Sequence, residues 1–412
     1  MQRIITIVLL LFAANAYGEV NLGGFMQGLY GGRLQGENPT SSEYTASESR
    51  LQLKLEHFGD QGEFFGRIDI LYNGAGEPTY DWELREGYFK FRLGSNFDFK
   101  VGRQVLTWGT GDLIFINDVF AKDYQSFFVG RDDQYLKAPQ DAIRAEYYGD
   151  IGSITAVWTP KFEPNRLPTG QVLSYYNPMT GAIVGESGGM EPVAPESRFK
   201  NSELALRFSR QVSSFTTALY FYKGFYKNPL GFDMTIGSPV YTRLNLYGAS
   251  VRGPAMGGIV WLEGGYIDSR DDACGENPYM PNSSINGLIG FERQVASNLT
   301  ANIQWQVDYM TDHDIYEIQQ SFVGGYVRDE VKHLLTSRVT KLLYSELLTL
   351  SGFVFYSPSD EDGYARLLAE YKYSDEIRLA VGANIFGGEN DASEFGQFKL
   401  NDNIYLKMTY GF

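Results

Sequence analysis

Cysteine is almost missing from this chain: Cys274 stands alone in 412 residues. A single thiol excludes an internal disulfide and any metal site built on several cysteines. Histidine is nearly as scarce, with only His57, His313 and His333. A hydrolase built on a Ser or acidic nucleophile needs a His base within reach. His57 sits beside a tight turn and His333 stands alone. His313, in Thr311-Asp312-His313-Asp314, reads as a solvated loop side chain, so the sequence points to no enzyme. Long apolar runs are missing as well. After residue 18 no stretch approaches the roughly 20 apolar residues of a membrane-spanning helix. Basic charge is in deficit, with 35 Lys and Arg against 50 Asp and Glu and a net charge of −15. That balance argues against nucleic acid or acidic polymers as general partners.

What is abundant is Tyr (29), Phe (28) and Gly (46), a mixture that suits aromatic girdles, tight turns and small inward residues. At the N-terminus Arg3 precedes the apolar run Ile4–Ala14, followed by small residues through Gly18. This reads as a cleaved secretory signal peptide, residues 1–18, too short to span a membrane. No Cys stands at the junction, which argues against a lipid anchor. No linker or break in composition divides residues 19–412, which read as one domain.

Period-two alternation runs through that domain. Leu51, Leu53 and Leu55 oppose Arg50, Gln52, Lys54 and Glu56. Phe64, Ile68, Ile70 and Tyr72 oppose Arg67 and Asp69. Ile303, Trp305, Val307 and Tyr309 oppose Asn302, Gln304, Gln306 and Asp308. Short turns, among them Gly59–Gly62, Gly94–Asn96, Gly253-Pro254 and Ser374–Glu376, alternate with longer polar loops. Across the second of these turns Leu93 should pair with Phe97, Phe91 with Phe99, Arg92 with Asp98 and Lys90 with Lys100.

The last stretch, Asp402–Phe412, puts Ile404, Leu406, Met408, Tyr410 and Phe412 on one face and Tyr405, Lys407 and Thr409 on the other. It resembles the C-terminal strand of Gram-negative outer-membrane β-barrels. The resemblance implies that Phe412, Tyr410 and Met408 form the signal read by the barrel assembly machinery. It also implies outer-membrane lipid and lipopolysaccharide as surroundings. The expected fold is therefore all-β: a transmembrane up-and-down antiparallel barrel of about 18 strands, with short periplasmic turns and long extracellular loops. Sixteen strands remain open, because the Gly-rich first strand and the fourteenth, near 328–343, are weakly patterned. Asp402–Phe412 should close the barrel against Val20–Tyr30, since lipid tolerates no free sheet edge.

The most informative segment is Val101-Gly102-Arg103-Gln104 leading through Trp108-Gly109-Thr110-Gly111-Asp112 to Asn117-Asp118. Strict alternation places Arg103 with Phe97, Phe99 and Val101 on the lipid side, where a charge at mid-depth costs about 2–4 kcal/mol. A bulge at Gly102-Arg103 is therefore expected to turn Arg103 inward. Loop 108–139 would fold into the lumen and carry Asp112 and Asp118 toward it. Residues 97–140 resemble porin-like outer-membrane families, including the alginate-export channel family. That resemblance implies a charged constriction formed by Arg103, Asp112 and Asp118 with Lys90, Arg92, Asp98, Lys100 and Arg144. The alternative reading of these residues is a salt-bridge network filling the lumen. Inward positions of strands two to six carry a basic surplus, and opposed charges across a pore select by charge.

The expected function is passive diffusion of small hydrophilic solutes through a lumen narrowed by loop 108–139 and by Phe162–Arg198, with a lean toward anions. Two alternatives are a channel exporting a polysaccharide or other anionic polymer, and a barrel sheathing a periplasmic partner such as a cytochrome. No cofactor and no metal is expected. The acidic loops Asp268–Asp272 and Ser359–Gly363 supply hard oxygen ligands but lack the spacing of a calcium loop.

Overall fold

A computed structural model describes residues 19–324 and 326–412; the signal-peptide expectation lies outside the described residues. Eighteen strands form one closed antiparallel sheet. In chain order they are β1 Glu19–Arg33, β2 Tyr44–Gly59, β3 Gly62–Asn73, β4 Thr79–Leu93, β5 Phe97–Val105, β6 Pro139–Gly149, β7 Gly152–Thr159, β8 Glu203–Val212 and β9 Phe215–Phe225. They continue as β10 Arg243–Ala255, β11 Gly258–Ser269, β12 Ser284–Ala296, β13 Leu299–Met310, β14 Val331–Leu343, β15 Leu348–Ser357, β16 Asp362–Lys372, β17 Ile377–Gly388 and β18 Asn403–Gly411. Each strand pairs with its sequence neighbours, and β18 returns to β1. Closure gives every strand a neighbour on both sides, as lipid requires of a spanning sheet.

The alternation sorts side chains as expected. On β18 Ile404, Leu406, Met408 and Tyr410 point outward and exposed, while Tyr405 and Lys407 are buried inside. The hairpin at Gly94–Asn96 has the expected register, Leu93↔Phe97, Phe91↔Phe99, Arg92↔Asp98 and Lys90↔Lys100. The first and fourteenth strands both form.

Three expectations of local geometry are corrected. The closing pair is shifted: β18 lies against Phe25–Arg33 rather than Val20–Tyr30, and backbone bonds join Gly24 and Phe412 in both directions at 3.0 Å. Tilted barrel strands are staggered, so the start of β1 extends past the end of β18. The turn after β10 is Met256-Gly257, not Gly253-Pro254. Both turn residues have left-handed φ, 52° and 71°, the geometry that matches hairpin twist. Pro254 is tolerated inside β10 because it lies beyond the last pair with β9, Thr216↔Arg252, where no ladder bond is lost.

The third correction concerns the bulge. The β5 ladder is regular against both neighbours, with Arg103 opposite Gly87 and Asp141. Arg103 therefore stays on the outer face with Phe97, Phe99 and Val101. The bulge falls on β4, where Arg67 pairs with Glu86 and Ile68 with Leu84. It turns Arg85 inward instead, where that residue is buried. The outer charge of Arg103 is met in place: Nε donates to the Leu84 carbonyl at 2.8 Å, and Asp141 and Glu163 lie at 3.4 and 3.7 Å. Gly102, at φ +127°, permits the close approach of β4 and β5, since a Cβ there would lie 2.3 Å from the Gly87 oxygen.

Candidate pore constriction

The segment between β5 and β6, residues 106–138, enters the barrel and reaches much of its wall. Three features of its sequence drive it inward. Leu106, Phe120 and Trp108 pack on the inner aromatic wall, with Trp108 5.0 Å from Phe120 and 6.0 Å from Tyr220. Ile114, Ile116, Phe127, Phe128 and Val129 join Phe353, Phe355, Tyr364, Phe386 and Phe398 in a buried cluster. Burying such side chains is favourable by about 1.5–3 kcal/mol each. The short helix Tyr124–Phe128 that carries two of these aromatics is capped by Asp123, whose Oδ1 accepts from Ser126 N at 2.7 Å.

Polar contacts fix the rest of the loop to strands around the barrel. On β11, the buried Glu263 carboxylate accepts from Thr110 N (2.6 Å), Thr110 Oγ1 (2.8 Å), Asn117 N (2.8 Å) and Asn117 Nδ2 (3.0 Å). Asp112 lies against β13 and β14, accepting from Asn302 Nδ2 at 2.7 Å and from Arg338 Nη2 at 2.9 Å. On β1 and β18, Asp132 meets Gln27 and Lys407. Asp133 lies 2.7 Å from Arg366 on β16. Arg131 pairs with Glu48 on β2. The Tyr135 ring lies between the guanidinium groups of Arg50 and Arg85, 4.2 and 4.7 Å from its centroid.

Asp112 and Asp118 are not brought to Arg103. Asp118 is buried, accepting from Thr107 Oγ1 at 2.8 Å, and lies 3.1 Å from Lys122 and 3.5 Å from Lys137. Burial depresses the Lys122 ammonium's pKa, against the pull of Asp118. Burial alone would raise the Asp132 carboxyl, but Lys407 and Gln27 outweigh it and hold its pKa below the ordinary 3.8.

The other expected residues line the lumen toward the short-turn end and pair locally. Lys90 lies 3.5 Å from Glu63, Arg92 2.6 Å from Asp98, and Arg144 2.5 Å from Glu146. Lys100 stacks on Tyr88 at 3.6 Å, with Glu86 at 4.0 Å. Arg50, Lys54 and Arg67 also have acidic partners, Asp69, Glu56 and Glu86. The surplus of strands two to six is thus met by the acids interleaved with it. Two other inward arginines, Arg207 on β8 and Arg252 on β10, have no carboxylate within salt-bridge distance among the described residues. Arg252 instead donates to the Thr110 carbonyl at 3.1 Å and lies over Trp261.

Glu263, Arg338, Arg366 and Lys407 were not anticipated. A signal existed for Glu263: its register partners Ser250 and Leu288 carry no charge, so an inward acid there needs a partner from outside the wall. The wall also fits the loop sterically. A Cβ on Gly248 would stand 1.6 Å from Asn117 Oδ1. Gly248→Ala should therefore displace Asn117 at a cost of about 1–3 kcal/mol. Thermal unfolding in detergent checks this; an unchanged midpoint would mean that the loop does not need that contact.

Above the loop is a cavity of about 1170 Å³, lined by loop 106–138, by residues of 165–192 and by inner-wall side chains including Arg50, Asp69, Lys332 and Tyr364. The acidic loops are engaged with the chain's own donors: Asp271 with Arg243, Asp272 with backbone N–H groups, and Asp360 with Lys332. Among the described residues no three His, Cys, Asp or Glu side chains are grouped to hold a metal.

Among solved structures the chain is similar to OccAB4 of Acinetobacter baumannii, at TM-score 0.57 and 11% identity, over 97% of this chain and 99% of that one. It is also similar to OccD3 of Pseudomonas aeruginosa, at TM-score 0.54 and 13% identity, over 95% and 91%. The fold is that of an outer-membrane β-barrel. A third likeness, to OccAB1 of Acinetobacter baumannii, has TM-score 0.54 and 11% identity over 96% and 95%. No protein-family model matches the chain, and no curated protein does. At such identities these likenesses concern the fold alone.

Proposed function

We propose that this protein is an outer-membrane channel through which small hydrophilic solutes diffuse, with segment 106–138 setting the narrowest part of the path. The observation that carries this reading is the anchoring of one loop to strands on many sides of the lumen, by Glu263, Arg338, Arg366 and Lys407. A barrel of this strand number is wide enough for an aqueous passage. A loop fixed within it narrows the passage to a charged eyelet, and no turnover or energy coupling is involved. Asp112, Asp132 and Asp133 meet basic wall residues at that level. Lys90, Arg92, Asp98, Lys100 and Arg144 line the vestibule on the short-turn side.

Arg207 and Arg252, with no carboxylate within salt-bridge distance among the described residues, favour anions on that side of the loop. The local pairing of the basic residues on β2–β6 weighs against export of an anionic polymer, which would need a continuous basic surface. The lumen space occupied by the loop weighs against a sheath around a folded partner. Planar-bilayer recordings in asymmetric KCl test the reading. The expected result is discrete conductance with a reversal potential on the chloride side. A cation-selective pore rejects the anion preference, and an insulating barrel rejects the channel.

A further inference from the structure

The end of β4 toward the long loops has no strand beside it on one side. Pairing with β5 stops at Gly87↔Arg103, whereas β4 remains paired with β3 as far as Thr79↔Asn73. Among the described residues, no other backbone–backbone hydrogen bond reaches residues 79–86. The seam is closed by side chains. Arg166, from the segment after β7, pairs with Glu83, and Arg103 Nε holds the Leu84 carbonyl at 2.8 Å. Arg85 donates to the Gln134 and Lys137 carbonyls at 3.1 Å.

The cavity above the loop reaches this seam. It is lined on one lip by Asp81, Trp82 and Glu83 in succession and on the other by Asn165 and Arg166. Successive strand residues face opposite sides, so a cavity touching all three extends to the strand's edge. Trp82 shares the outer face with Tyr80 and with its register partner Ile70, and all three are exposed. The cavity's remaining walls mix aromatic side chains, Tyr124, Phe128 and Tyr364, with the charged Lys332 and Arg328.

We propose that the seam between β4 and Asn165–Arg166 is a side gate, through which an amphipathic solute with an apolar body and a charged head passes between the cavity and the surrounding leaflet. It rests on the barrel being a membrane channel, but not on the selectivity of the constriction. The Glu83–Arg166 pair is two-pronged and part-exposed, with side chains 24% and 40% accessible, and Arg166 also lies 3.5 Å from Asp123, so the pair parts only when an entering charge replaces one partner. The charged head exchanges with that pair while the apolar body slides past Trp82.

The test uses the full chain carrying Cys274→Ser, Glu83→Cys and Arg166→Cys, with the two new thiols bridged by a short bifunctional thiosulfonate. Two probes are followed: 8-anilino-1-naphthalenesulfonate entry into whole cells, and arabinose-driven swelling of proteoliposomes. Bridging is expected to slow the naphthalenesulfonate severalfold, reversibly with reductant, while arabinose passage is unchanged. Equal naphthalenesulfonate entry with and without the bridge overturns the gate, as does a parallel fall of both probes. The unbridged pair Glu83→Ala, Arg166→Ala should instead speed naphthalenesulfonate entry, and no increase counts against the gate. Should arabinose fail to pass in every state, the channel reading fails while the naphthalenesulfonate arm still reports on the gate.

Discussion

Glu263→Ala should release the loop from β11 and leave a wider, noisier pore. The wild-type carboxylate gathers four donors from Thr110 and Asn117, and it is buried, with no basic partner within salt-bridge distance among the described residues. Truncation removes the acceptor of Thr110 N, Thr110 Oγ1 and Asn117 N, while Asn117 Nδ2 keeps the Gly264 carbonyl at 3.2 Å. Hydrogen bonds to a charged group contribute about 1.5–3 kcal/mol each, and a buried donor left unpaired costs about 1–3 kcal/mol. Even with partial relaxation, the seated loop should lose about 3 kcal/mol relative to a detached one. Single-channel recording should then show higher mean conductance with added flicker. Glu263→Gln should give the same change in smaller measure, because its amide supplies one acceptor where the carboxylate supplied two. Leu262→Ala, one residue away on the lipid face, should leave conductance unaltered. A normal, quiet conductance in Glu263→Ala would mean that the aromatic cluster alone seats the loop.

Neutralising the loop's adjacent acids, Asp132→Asn with Asp133→Asn, should move selectivity toward anions. Lys407 and Arg366 are both largely buried, and these two carboxylates are their counter-charges. The two cations then lose their nearest counter-charges from part-exposed carboxylates, so the barrel should also melt earlier. Reversal potentials in asymmetric KCl measure the first effect and thermal unfolding the second. An unshifted reversal potential would place the selectivity determinant elsewhere.

Acid should reproduce part of this change. The Asp132 carboxyl is held below 3.8 by Lys407 and Gln27. A depressed carboxyl pKa gives stability that is present above the unfolded value and lost as pH falls through the folded one. The contact should therefore survive titration to pH 5 and weaken only below 3.8, with the anion preference rising over that lower range.

The pattern of the wall was legible because it is local. Side chains alternate with period two, and a lipid face demands an apolar residue at each outward position. Leu51, Ile303 and Leu406 therefore announce their strands, and Gly94–Asn96 fixes its hairpin register without outside help. The sequence by itself determined an all-β barrel of about 18 strands and, wherever the ladder is regular, the face on which each wall residue lies; the closed structure decided the number and the place of the bulge.

It did not determine which inward charges meet. Arg103 read as a charge that must be turned into the lumen, because a lone arginine in lipid is costly. The tertiary structure supplies Asp141, Glu163 and a free carbonyl at Leu84 on the outer face, so no turn is needed there, and the bulge belongs to Arg85. Asp112 read as a partner for Arg103, close in sequence. It crosses the barrel to Arg338, a residue 226 positions away. Which wall charge a loop charge reaches depends on the curvature of eighteen closed strands and on where the loop's aromatic side chains find a surface to bury against. Both are properties of the assembled barrel, and no local pattern encodes them.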